Sequence, residues 1–237
     1  MLQPKGRVVM VSGANRGIGL AIAHGLLAKE YDLSLGVRDP DGMAETLTAS
    51  PPQRLSIHAY DARRADAGAA WVAATLAQHG RIDALVNNAG IHRRTRLEDE
   101  DESGLDELWE VNVKAPLRVI RAALPHLRET GCGRVVNLAS LAGKRVIGEA
   151  IGYTMSKYAV VALTHQVRRS GWDDGVRATA ICPGFVNSDM AAALTEEPSE
   201  NMTQPEDIAE LVATAIALPN RASVAEMTVN WRYEVTL

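Results

Sequence analysis

The stretch Val8-Val9-Met10-Val11-Ser12-Gly13-Ala14-Asn15-Arg16-Gly17-Ile18-Gly19-Leu20 decides the reading of this 237-residue chain. Four consecutive apolar residues run almost directly into a glycine-rich turn, and beyond it Leu20, Ile22, Ala23, Leu26 and Leu27 recur at helical spacing. A continuous apolar run suits a parallel strand covered on both faces, and the spacing that follows predicts a helix over 17–29. Glycines at such a junction let the backbone approach a ligand. The helix N-terminus offers a pyrophosphate free N–H groups and a partial positive charge. The spacing here is G-x-x-x-G-x-G rather than G-x-G-x-x-G, and three glycines alone would equally describe an ordinary strand-to-helix turn.

The same alternation continues along the chain. Strands are predicted at 7–12, 33–37, 55–60, 84–87, 134–138, 177–182 and 226–230, and helices at 17–29, 66–79, 105–129, 151–170 and 206–217, with turns around 41–48. Strand alternating with helix implies an α/β, doubly wound parallel sheet. Thr203, with Pro205 and Glu206 behind it, reads as the start signal of the last helix. No Ser/Gly linker divides the chain, so one domain over 1–237 is expected.

Apolar residues make up 46% and charged residues 23%, values of an ordinary globular domain that exclude collagen-like and disordered classes. Asp and Glu outnumber Lys and Arg 29 to 25, for a net charge of −4, which argues against a nucleic-acid partner. Cys132 and Cys182 are too few for a disulfide framework and lack the paired spacing of a zinc site. No apolar run reaches about 18 residues, so no membrane span is expected and a cytoplasmic location is read. The acidic run 98–102 reads as a solvated approach to a helix, and Cys182 as a buried small residue.

Further signatures follow the glycine loop in order: Asn87-Asn88-Ala89-Gly90, then Ser140 with Tyr153-x-x-x-Lys157 thirteen residues on, then Pro183-Gly184 and Ser188. Together they resemble the classical branch of the short-chain dehydrogenase/reductase family over residues 5–217. The usual T-G-x-x-x-G-x-G loop has Ser12 in place of threonine. The resemblance implies a Rossmann fold with strand order 3-2-1-4-5-6-7 and interconversion of a carbonyl and an alcohol with a nicotinamide cofactor. It assigns Tyr153 as general acid/base, Ser140 as stabiliser of the substrate oxygen, Lys157 as pKa modulator and ribose ligand, and Asn112 as holder of a relay water. Tyrosine and lysine four apart share a helix face, and an ammonium nearby favours the phenolate of a group whose unperturbed pKa is about 10. Alone, that pair would be an amphipathic tyrosine beside a surface lysine. A nucleotide-sensing protein with little turnover is the alternative, which the filled tetrad disfavours.

The resemblance places the cofactor against Ser12, Gly13, Asn15, Arg16, Gly17, Ile18 and Gly19, against Asp61 and Ala62, against Asn88, Ala89 and Gly90, and against Pro183, Gly184, Val186 and Ser188, besides Tyr153 and Lys157. An acidic ribose ligand belongs about 20 residues beyond the loop. Val37 stands there, followed by Arg38, and two guanidinium groups, Arg16 and Arg38, suit a 2′-phosphate. NADP(H) is therefore expected over NAD(H); Asp39 is the alternative ribose ligand, although Asp39-Pro40-Asp41-Gly42 also reads as a turn. With no cofactor role, Asp61 would cap the next segment.

Substrate selection is expected in the loops 91–96, 141–150 and 191–202. His92 reads as a solvated loop histidine rather than a substrate contact, and Lys144 and Arg145 at least as readily as exposed loop cations as receptors for an anionic substrate. The Asp-Gly-Gly often found after the family's last strand is absent, with Trp231, Arg232 and Tyr233 in its place. The family pairs the two long helices 105–129 and 151–170 across a two-fold axis, so a homodimer or homotetramer is the expectation.

Overall fold

The computed structural model describes residues 1–43, 47, 53–146 and 148–234. Seven parallel strands, β1 (Val8–Ser12), β2 (Asp32–Val37), β3 (Leu55–Ala59), β4 (Ala84–Asn87), β5 (Arg134–Leu138), β6 (Arg177–Pro183) and β7 (Glu226–Val229), lie side by side in the order β3-β2-β1-β4-β5-β6-β7. This is the Rossmann order that the resemblance implies. Each predicted strand is found within one residue at either end. Of the turns expected around 41–48, residues 44–46 and 48 lie outside the described residues.

Both faces of the sheet are covered, which is why β1 is buried at every position. On one side α1 (Gly17–Ala28) and α7 (Pro205–Ala217) pack Ile22, Leu26, Ile208, Val212 and Ile216 onto Val9, Val11, Leu33 and Leu35. On the other, α2 (Ala67–His79), α4 (Ala115–Glu129) and α5 (Ile151–Gly171) bring Trp71, Val119, Leu127 and Val167 against Met10, Leu85 and Val135. Each such side chain, fully buried, contributes about 1.5–3 kcal/mol. Trp71 also donates its indole N–H to Ser34 Oγ at 3.0 Å, so this large ring is buried without an orphaned donor.

Two expectations are corrected. The segment 105–129 is not one helix: α3 (Ser103–Trp109) and α4 are joined by a π-helical turn, Glu110–Lys114. Pro116 has no N–H to donate to the carbonyl of Asn112 four residues back, so regular i to i−4 bonding is interrupted where the turn widens. The last helix is capped by Gln204, not Thr203. Thr203 bridges Val186 and accepts from the amide of Asn187 at 2.9 Å, so the cap falls one residue later, with Asp207 accepting from the Gln204 amide at 2.9 Å.

A buried chain of side chains fixes α5 to the sheet. Asn87 donates to Asn137 (2.8 Å), Asn137 to Thr164 (2.8 Å), and Thr164 to the carbonyl of Val160 (2.8 Å). With its polar atoms paired, such a chain gives α5 one register on β4 and β5.

Candidate active site

A cavity of about 920 Å³ opens beyond the carboxyl ends of the strands, within the range of a large ligand pocket. Its first end is built by backbone. Gly13 takes φ +68°, and a Cβ on Gly19 would lie 2.2 Å from the carbonyl oxygen of Gly13, so the loop closes this tightly only with glycine. Ser12 Oγ accepts from the amides of Asn88 and Ala89, each at 3.0 Å, while the Asn88 side-chain amide donates to the carbonyls of Ser12 and Gly13 at 3.0 and 3.1 Å. The first turn of α1 carries no acidic residue and its N-cap, Arg16, makes no side-chain capping bond, which leaves its N–H groups to an anion.

Arg16 and Arg38 both line this end. Arg16 holds Asp189 of the short helix α6 (Asp189–Ala192) at 2.6 Å. The Asp39 carboxylate accepts from the amide of Asp41 at 3.2 Å, which is the turn geometry read from the sequence, and Asp39 does not line the cavity. Asp61 lines it and also accepts from the amide of Arg63 at 3.0 Å, so it both faces the cavity and stabilises its own turn.

The middle of the cavity is formed by α5 and by the turn after β5. Gly152, in the first turn of α5, donates to Thr95 Oγ1 at 2.9 Å, and the amide of Ile151 to the Thr95 carbonyl at 3.0 Å. A loop threonine thus caps the helix that presents Tyr153 and Lys157, a role with no local signal in the sequence. Ser140 caps the 3₁₀ turn Leu141–Gly143 by accepting from the amide of Ala142 at 3.1 Å. Burial raises the Tyr153 hydroxyl pKa, and its hydrogen bond with Ser140 pulls the other way. Lys157 is buried, donates to the carbonyl of Leu138 at 2.9 Å, and stands 5.5 Å from the centre of the Tyr153 ring. Burial brings its pKa down to about 8. The direction of the tyrosine shift is thus set by desolvation, with Ser140 as the opposing group.

The predicted residues therefore converge, except that Ser12 and Asn112 stand behind the cavity wall. Asn112, in the π-helical turn, accepts from the amide of Ile91 (2.9 Å) and donates to the Ile91 carbonyl (3.0 Å) and to Ser156 Oγ (3.1 Å), which pins the loop beneath Tyr153. His92 is corrected: it is half-buried, lines the cavity, and sets its ring 4.9 Å from that of Tyr153. Burial, seconded by Arg93, lowers its pKa. Lys144 and Arg145 are not free loop cations either, since Lys144 pairs with Glu226 at 2.6 Å and Arg145 with Glu234. Trp231, Arg232 and Glu234, in the atypical C-terminal segment, complete the far wall.

The profile of the short chain dehydrogenase family matches residues 7–199. An agropine synthesis reductase of Rhizobium rhizogenes is 46% identical over 92% of this chain and 50% of its own length. The chain spans about half the length of the agropine synthesis reductases it matches. Among solved structures, an alcohol dehydrogenase of the archaeon Thermococcus sibiricus complexed with 5-hydroxy-NADP superposes with a TM-score of 0.85 at 31% identity, over 94% of this chain and 95% of that one. A metagenomic short-chain oxidoreductase in complex with NADP gives 0.81 at 31% identity, over 96% and 98%. Among the described residues no helix is long and apolar enough to cross a membrane, and no cluster of three metal-binding side chains occurs.

Proposed function

Because the chain belongs to the short-chain dehydrogenases, a family of oxidoreductases, we propose that it is an NADP(H)-preferring carbonyl reductase or alcohol dehydrogenase whose proton donor and acceptor is Tyr153. The observation that carries this reading is the convergence of Ser140, Tyr153 and Lys157 on one cavity whose other end is a glycine loop flanked by Arg16 and Arg38. The residues fit the cofactor. The close approach at Gly19 and the uncapped, acid-free start of α1 suit a pyrophosphate, and Asn88, Ala89 and Gly90 with Lys157 suit the adjoining ribose. Pro183, Gly184, Val186 and Ser188 line the cavity and would hold the nicotinamide side, Asp61 and Ala62 the adenosine side, and Asn15 and Ile18 belong to the loop that would hold the pyrophosphate.

When bound, the cofactor supplies hydride to a carbonyl carbon or accepts it from an alcohol. Tyr153 gives its hydroxyl proton to the substrate oxygen in reduction and takes it back in oxidation. Its raised pKa keeps that proton in place near neutrality, which suits reduction. Ser140 orients the same oxygen, and Lys157, held by the carbonyl of Leu138, brings positive charge below the tyrosine. His92 packs its ring against that of the tyrosine, with centres 4.9 Å apart and the planes tilted. The 237 residues act as one catalytic domain, with 190–203 as the substrate loop. Two observations support NADP(H): Arg38 lines the cavity where an acidic ribose ligand would stand, and Asp39 is turned into its own loop.

The test is to titrate the purified protein with NADPH and with NADH, and then to follow consumption of each with a panel of aldehydes and ketones. Tighter binding and faster turnover with NADPH are expected. Preference for NADH overturns the cofactor assignment, and binding without turnover of any carbonyl or alcohol overturns the enzymatic one.

A further inference from the structure

Beyond Ser140 the cavity is closed by two segments far apart in sequence. The amide of Arg145 is held by the carbonyl of Leu141 at 3.1 Å, in the turn that Ser140 caps, and its guanidinium grips both carboxylate oxygens of Glu234, one of them at 2.6 Å. This bidentate pair ties residues 231–234 down beside the catalytic turn. Trp231 lies so close to Gly184 that a Cβ there would come within 2.7 Å of the indole, and it meets Phe185 edge-on with ring centres 6.0 Å apart. The guanidinium of Arg232 then sits 4.6 Å from the Trp231 ring centre.

The charges at this end do not balance. Glu234 is matched by Arg145, which with its hydrogen bonds pulls the carboxyl below its ordinary range, Arg232 adding a weaker pull from a distance. Glu149 is matched by Arg94 at 3.7 Å and Arg96 at 3.0 Å. Arg232 is left with no ion pair or hydrogen bond among the described residues, yet it lines the cavity and rests on an aromatic face. A guanidinium resting on an indole is weakly hydrated and retains a donor edge for a planar anion.

We propose that this end of the cavity takes a carbonyl compound that also carries a carboxylate, and that Arg232, held on Trp231, is the residue that selects it. The proposal rests on the reductase reading for the reacting carbon and on the wall alone for the anion. Neutral substrates of the same length leave Arg232 unmatched and are disfavoured.

The test compares 4-oxopentanoate and 6-oxoheptanoate with their methyl esters, using the intact protein and NADPH. At least one acid is expected to show kcat/KM about ten- to a hundredfold above its ester, the range of a hydrogen bond to a charged group. In Arg232→Gln, an exposed position where the fold is not at stake, that ratio closes toward one, mainly through KM, and Arg232→Lys restores part of it. Esters used as well as acids, or a ratio unmoved in Arg232→Gln, overturn the proposal. A calorimetric titration of the same acids onto the protein with NADP⁺, where no reduction occurs, separates the two readings. Binding of the acid that Arg232→Gln abolishes, without any turnover by the parent protein, keeps the anion site and removes the reductase. Absence of acid binding removes the anion site whatever the turnover.

Discussion

At one end of the cavity most ligand-facing groups come from backbone, namely the glycine loop between β1 and α1, the turn after β4 and the N–H groups at the start of α1, with Arg16 and Arg38 adding side chains at its rim. At the other end they come from side chains, His92, Arg145, Trp231, Arg232 and Glu234, carried by three separate segments. The glycine loop of the first end is a local structure joining β1 to α1, and Ser12 ties it to the turn after β4 through backbone amides 76 and 77 residues away. The second depends on pairs such as Arg145 with Glu234, 89 residues apart. A surface made of backbone tolerates few substitutions, because a Cβ at Gly19 has nowhere to go. A surface made of side chains is changed by any of them, so one scaffold serves many substrates.

The sharpest way to break this comparison is at the residue between the two ends. Tyr153→Phe removes the proton donor but leaves the ring against His92, so turnover is expected to fall about 10²- to 10⁴-fold. NADPH affinity is expected to stay within about twofold, since the glycine loop, Arg16, Arg38 and Lys157, all left in place, hold the nucleotide. Steady-state kinetics and fluorescence titration of one preparation check both halves. Turnover that survives would remove Tyr153 from the chemistry.

The difference also explains how much of the molecule is legible in its sequence. The strand ends are legible because apolar periodicity and glycine spacing agree over short runs, and helical spacing puts Tyr153 and Lys157 on one face; the sheet order and the convergence of that pair with Ser140 are legible only through the family resemblance. Misreadings arise where a residue's partner is distant. His92 reads as solvated because nothing nearby announces Tyr153, and Lys144 and Arg145 read as free because their carboxylates, Glu226 and Glu234, lie 82 and 89 residues away. Thr203 has the chemistry of a cap, yet a bridge to Val186 commits its backbone to an extended conformation and passes the cap to Gln204. The break at 110–114 is signalled by Pro116, whose place in an apolar helical pattern masks the missing N–H.

A second prediction sharpens the boundary between the ends. Replacing Arg16 and Arg38 together by Gln is expected to weaken NADPH by about tenfold or more for each charge-assisted hydrogen bond removed, and NADH by much less. The KM for the carbonyl substrate should hold, because neither arginine lies on the wall of residues 231–234. Arg16 also releases Asp189 in this variant, so a rise in substrate KM would reveal that α6 transmits strain from one end to the other. Equal weakening of NADPH and NADH would remove the 2′-phosphate reading.

The smallest expected effect concerns Lys157, where the ends meet. Burial lowers its pKa from 10.5 to about 8 in the folded protein, so between those values the unfolded chain binds a proton that the folded chain has released. Stability from this group therefore rises with pH across that window, and below about pH 8 the fold carries the full cost of a buried ammonium. An anionic nucleotide favours the ammonium and draws the pKa back up, so binding takes up a proton. NADPH affinity should accordingly weaken by at most about tenfold from pH 7 to pH 9, the loss a single ionisation near 8 allows, with proton uptake visible as a buffer-dependent heat in calorimetry. Lys157→Met should flatten that slope. If the variant kept the slope, the proton would belong to another group, and the positive charge assigned to the centre of the cavity would have to be sought at the arginines of its rim.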